Sequence, residues 1–157
     1  MMQGSDRVNE ALNELLTLEL TVINQYFLHS KMCDNWGLAR LAKRLRDVSL
    51  EEMKDAERIV DRILFLEGLP NMQRLGAVRI GENVPELLQI QLDGERQALT
   101  ILAQGIKVAM EEGDEASREF FAGSLLEEEE HADWLETELS LIQQVGEANY
   151  LAQQIHD

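Results

Sequence analysis

The segment 127–139, EEEEHADWLETEL, constrains the fold more than any other stretch of the chain. It lacks Gly and Pro and consists largely of strong helix formers, so it reads as continuous helix. Phe121, Leu125, Leu135, Leu139 and Ile142 recur around it at intervals of three, four and seven, marking the stripe that an amphipathic helix buries. Glu128 and His131 fall on the same stripe, three residues apart and therefore stacked on one face. A carboxylate facing a core is costly unless something pairs with it. Taken alone, the acidic run reads more simply as a solvated charge face beside a chance histidine.

Three further helices carry the same pattern. The first is predicted over 5–35, with Ser5 or Asp6 as cap and Trp36-Gly37 as interruption. Its stripe is Leu12, Leu15, Leu16, Glu19, Val22, Ile23 and Tyr26. The second is predicted over 37–67, with Gly68 as its stop. Its stripe is Leu41, Leu45, Val48, Glu52, Asp55, Ile59, Ile63 and Leu66. Residues 68–85 hold both prolines and three glycines. That is too long for a hairpin between neighbouring helices and suits a crossover along a bundle. The third helix is predicted over 85–112, opened by Pro85, with Leu88, Leu92, Glu95, Leu99, Leu102 and Ile106 on its stripe. The fourth follows the Gly113-Asp114 turn over 115–145, and a short fifth occupies 147–155. The expected architecture is all-α: a single domain over 1–157, built as a four-helix bundle with one long crossover and a short C-terminal helix.

Composition narrows the function. Hydrophobic residues are 45% and aromatics 5%, in keeping with a helical core rich in leucine and alanine. A net charge of −16 argues against nucleic acid and anionic membrane surfaces and suits attraction of cations. The one cysteine, Cys33, excludes an internal disulfide framework and fits a reducing cytoplasm, where it reads as a small buried thiol. No apolar run approaches a membrane span, and the start of the chain carries no signal-peptide core.

Each long helix thus carries one inward glutamate near its middle: Glu19, Glu52, Glu95 and Glu128. Two have a partner three residues on, Asp55 and His131. Isolated buried carboxylates at one depth repel one another and take up protons. Divalent cations remove that penalty, and carboxylate oxygen with imidazole nitrogen suits iron or manganese. Any one of these glutamates could lie on a poorly phased helix; all four, with Glu-x-x-His, indicate a metal site. Glu-x-x-His projecting into a four-helix bundle is already known as a di-iron arrangement in ferritin-like proteins.

The segments LELTVINQYFLHSKM, DNWGL, EEMKDAERIVDRILFLEGLPN, RIGENV, EEEEHADWLETELSLI and NYLAQQI resemble bacterioferritin, the haem-containing branch of the ferritins. The resemblance spans essentially the whole chain. It implies a hollow homo-oligomeric shell of twenty-four subunits, Fe(II) oxidation by oxygen or peroxide at an intrasubunit dinuclear centre, and storage of a ferric mineral core. The ligand positions it implies are Glu19, Glu52, Asp55, Glu95, Glu128 and His131. Catalytic roles would fall on the four glutamates and His131, with Tyr26 in a redox or hydrogen-bonding role beside them. It implies haem b, ligated by Met53 and a symmetry-related methionine, and a ferredoxin-type reductant for release of iron.

One position departs from the family pattern, which has histidine where this chain has Asp55. Four glutamates and two neutral histidines balance two Fe²⁺ ions; an ionised Asp55 adds one negative charge. The alternative is therefore a haem-binding subunit with an impaired ferroxidase centre, acting in a mixed shell with a catalytic subunit. A helical bundle without metal is the third reading. Met53 follows Glu52 directly and so points about 100° away from the metal stripe, toward an outer face. Trp134 reads as core, His29 as structural or exposed, and His156 as part of a tail.

Overall fold

The computed structural model describes residues 2–156, which form five helices: α1 Asp6–Asn35, α2 Ala39–Phe65, α3 Val84–Glu111, α4 Glu115–Val145 and α5 Glu147–Ala152. No strand occurs among the described residues. The helices start where side chains satisfy their free amides. Ser5 accepts from Val8, Asn83 from Glu86 and Asp114 from Ser117. Each such cap contributes about 1 kcal/mol. Gly37 and Gly113 turn the chain at φ 82° and 68°, a region open to glycine, and so fold α1 onto α2 and α3 onto α4.

At 30 residues α1 is about 45 Å long. The chain leaves α2 at Leu66, which packs with Val8 and Leu12 at one end of the bundle. It re-enters at Val84 and Leu87, which pack with Cys33 and Leu38 at the other. The segment between them therefore runs the length of the bundle. One face of α1 holds it: Asn13 accepts from the Asn71 amide at 2.8 Å, Thr21 from Gly76 at 2.9 Å, Gln25 from Arg79 at 2.9 Å and His29 from Gly81 at 3.0 Å. His29 is thus structural, and buried. Its Nε2 accepts from Gly81, so the ring is neutral, with Nδ1–H donating to Gln91 at 2.7 Å.

The stop expected at Gly68 falls one residue earlier, because Glu67 takes the left-handed conformation at φ 59°. Gly68 instead lies against Asn9: a Cβ there would lie 2.8 Å from the Asn9 side chain, which would have to shift.

Two apolar cores occupy the ends of the bundle. One gathers Leu41, Leu45, Val48, Leu88, Leu92 and Leu135; the other Leu12, Leu16, Ile59, Ile63, Leu102 and Phe121. On every long helix the switch from one core to the other falls at the inward acids. Glu19 lies between Leu16 and Val22 (with Ile23 still packed in the core of Leu16), Glu52 and Asp55 between Val48 and Ala56, Glu95 between Leu92 and Leu102, and Glu128 and His131 between Phe121 and Ala132. The polar groups form one layer across a bundle that is otherwise apolar inside.

Candidate metal centre

Four helices, each contributing one or two side chains at the same height, build this layer. Glu19 comes from α1, Glu52 and Asp55 from α2, Glu95 from α3, and Glu128 and His131 from α4. All six are buried, with exposures between 0% and 6%. One quartet of ligand atoms comes from Glu52, Glu95, Glu128 and His131, and a second from Glu19, Glu52, Asp55 and Glu128. Within each, the atoms lie within 4.8 Å of one another. Glu52 and Glu128 belong to both quartets.

Native interiors leave few polar atoms without partners. Here Glu19 Oε2, both oxygens of Glu52, Glu95 Oε2, Glu128 Oε2 and His131 Nδ1 are buried without a hydrogen-bond partner. His131 Nδ1 lies 2.8 Å from Glu52 Oε1 and 3.5 Å from Glu128 Oε2, but neither contact has hydrogen-bond geometry. Six convergent donor atoms of carboxylate and imidazole type form a set that fits iron or manganese.

The surroundings aim these atoms. The buried Tyr26 hydroxyl donates to Glu95 Oε1 at 2.6 Å, leaving Oε2 for the centre. Glu51, on the exposed flank of α2, accepts from His131 Nε2 at 2.8 Å, which turns Nδ1 inward. Arg44 lies 3.8 Å from Glu51 and over the half-buried Trp134 ring at 5.1 Å. Such partners fix the orientation of a ligating imidazole. On the outer side of the layer, the Arg58 guanidinium contacts Asp55 Oδ1 and, at 3.1 and 3.2 Å, both oxygens of Glu127. A surface cavity of about 300 Å³ reaches this point, lined by Asp55, Arg58, Glu127 and His131 among others.

In the polypeptide alone the electrostatics are those of crowded acids. Burial, reinforced by neighbouring carboxylates, pushes Glu19 and Glu95 well above the usual carboxylate range. Glu52 is raised by burial too, partly offset by Glu19 and His131. Burial and the charge of Glu52 lift Asp55 to about 8, against the opposing pull of Arg58. Burial would raise Glu128 as well, yet the nearby Glu95 carboxyl and His131 imidazole bring it below its ordinary value. Burial alone would lower His131, but Glu128 and Glu52 raise it to about 11. The layer therefore holds protons that a bound cation would replace.

The sequence reading singled out all six of these residues and Tyr26, and they meet in this one layer. Met53 stands apart on the outer face of α2, 46% exposed, with the exposed Leu50 one turn before it. Cys33 is a buried thiol raised by burial to about 12, a form with little reactivity. Glu51 and Arg58 escaped the sequence reading, since both lie off the apolar stripe. The one available signal was the three-residue spacing from Asp55 to Arg58.

No helix among the described residues is long and apolar enough to cross a membrane. Residues 9–145 match the Ferritin-like domain family. The chain is 49% identical over 152 residues to a bacterioferritin of Mycobacterium leprae, covering 97% of this chain and 96% of the relative. It is 49% identical to a bacterioferritin of Streptomyces coelicolor, covering 96% and 90%, and 42% identical to one of Brucella melitensis, covering 95% and 92%. Together with the four-helix bundle, its lengthwise crossover and its buried layer of inward acids, these similarities identify the chain as a member of the bacterioferritins, within the ferritin-like iron-storage proteins.

Proposed function

We propose that this chain takes up Fe(II) in the buried layer, oxidises it there with oxygen or peroxide, and passes Fe(III) to a mineral inside a hollow shell of twenty-four subunits. The observation that carries this reading is the set of orphaned donor atoms shared by two overlapping quartets. Glu52 and Glu128, common to both, are the carboxylates suited to bridge two ions. Glu95 and His131 complete one position, Glu19 and Asp55 the other. The metal ions supply the electrons: each Fe(II) gives up one, so a pair reduces oxygen to peroxide, or peroxide to water. The protein's own part is to hold the pair together, exclude bulk water and accept the charge change. Tyr26 keeps Glu95 in position through its 2.6 Å hydrogen bond and lies close enough for a redox role. The cavity beside Asp55 and His131 is a short route inward for the cation, and the chain's net charge of −16 draws cations toward the shell.

Met53 supports a second component. Its thioether projects from an outer face beside exposed Leu50 and away from the acids, and a thioether is a suitable axial donor to haem iron. A two-fold contact between copies would present two such methionines to one haem b. The haem would supply electron transfer for reduction of stored iron, with a ferredoxin-type protein as donor, in the cytoplasm.

A second reading is favoured by one observation, the engagement of Asp55 by Arg58. In it, the chain is a haem-binding subunit of low ferroxidase activity that assembles with a catalytic subunit. Rapid-mix absorbance of the pure homopolymer after Fe(II) addition distinguishes the two. A fast ferric rise supports the first reading, and its absence supports the second.

A further inference from the structure

We infer that Arg58 is the built-in counter-ion of this metal centre: its guanidinium neutralises Asp55 and competes with the incoming cation for the Asp55 carboxylate. This rests on the metal-centre reading above and extends it to a residue outside the ligand set. Asp55 is buried, and one of its oxygens lies within 4.8 Å of ligand atoms from Glu19, Glu52 and Glu128. Its Oδ1 is nevertheless engaged by Arg58, one turn further along α2. The same guanidinium reaches both oxygens of Glu127 on α4, at 3.1 and 3.2 Å. Glu127 is a much more exposed partner than Asp55 (45% against 8% for the side chains).

Charge explains the arrangement. Four ionised glutamates with a neutral His131 balance two divalent ions, and an ionised Asp55 leaves one negative charge in excess. The Arg58 guanidinium, in contact with Asp55, offsets that excess. Asp55 and Arg58 together present the cation with a donor group of zero net charge, as a neutral imidazole would. When a cation reaches the Glu19, Glu52, Asp55 and Glu128 position, Asp55 Oδ1 turns from Arg58 to the cation. Arg58, itself 55% exposed, then stays on Glu127. The cost of separating Arg58 from Asp55 falls on this position alone. The two positions of the centre should therefore differ in affinity, with the Asp55 side the weaker.

The test is a Co(II) titration of the iron-free, full-length shell, followed by calorimetry and by cobalt absorption, neither of which requires turnover. Wild type should bind in two steps, the weaker one on the Asp55 side. Arg58→Gln should tighten the weaker step by about tenfold or more, because Asp55 no longer has to leave a guanidinium to reach the cation, and shift the stronger step by less than about threefold. Arg58→Lys, which keeps the charge, should restore most of the wild-type difference. In an Asp55→Asn background the weaker step should loosen, and Arg58→Gln should then tighten it little. An unchanged or loosened weaker step in Arg58→Gln overturns the proposal, as does equal tightening in the Asp55→Asn background. If wild type takes up no Co(II) inside the bundle, the metal-centre reading falls with it. If wild type binds two ions and Arg58→Gln leaves both steps unaltered, only the role of Arg58 falls.

Discussion

Tyr26 and Glu95 are joined inside the bundle by a 2.6 Å hydrogen bond that uses one carboxylate oxygen and leaves the other without a partner. The phenol comes from α1 and the acid from α3, so the bond also links the two halves of the bundle. Tyr26→Phe removes the donor and strands a second buried oxygen on Glu95. Unfolding of the iron-free protein should cost about 1–3 kcal/mol less. Fe(II) oxidation in rapid mixing should slow by roughly tenfold, since a mispositioned ligand disturbs the geometry of the ion pair.

The acidic layer costs stability that bound cations return. Chelated protein should gain about 3 kcal/mol on addition of Zn(II) at a hundredfold excess over Kd, equivalent to a rise in Tm of roughly 5–10 °C. Glu19→Gln should raise the Tm of the chelated protein, because one buried acid is gone, and should reduce the gain on adding metal. Scanning calorimetry with and without metal reads both effects.

His29 gives the crossover a pH dependence. Burial lowers its pKa, although the bond to Gln91 pulls the other way. The unfolded chain therefore binds a proton more readily than the folded one as pH falls through the ordinary histidine value of 6.5. The contribution of His29 is present above that value and is lost as pH falls from it toward the lowered folded value. A protonated Nε2 could no longer accept from Gly81. The protection of the Gly81 amide against exchange, relative to its intrinsic rate, should fall below about pH 6, and His29→Gln should flatten that dependence.

The haem proposal predicts a Soret band in the purified oligomer that Met53→Leu removes, with assembly and Fe(II) oxidation left near wild type. The side chain is 46% exposed and belongs to neither quartet of ligand atoms. Absorbance and gel filtration of the same preparation measure both.

Much of the bundle was legible because burial in a helix repeats every three or four residues. The interruptions of that repeat, Glu19, Glu52, Asp55, Glu95, Glu128 and His131, all became members of one layer. Periodicity reports which face a residue occupies but not what an exposed residue reaches across to. Glu51 and Arg58 sit on solvent-facing flanks, and their roles come from partners on α4, 80 and 69 residues away. The ladder from Asn13 to His29 was hidden for a related reason. Its partners are backbone amides of an irregular segment, which leave no mark on residue type. The chain turns left-handed at Glu67, although the next residue is a glycine, and Gly68 itself lies close to Asn9.

The central claim is that these acids converge to hold a pair of cations. Anomalous scattering at the iron edge from crystals soaked anaerobically in Fe(II) tests it most directly. The account predicts two peaks inside each bundle, one among Glu52, Glu95, Glu128 and His131 and one among Glu19, Glu52, Asp55 and Glu128. Iron found only on the protein surface, with the bundle interior empty under saturating Fe(II), would contradict it.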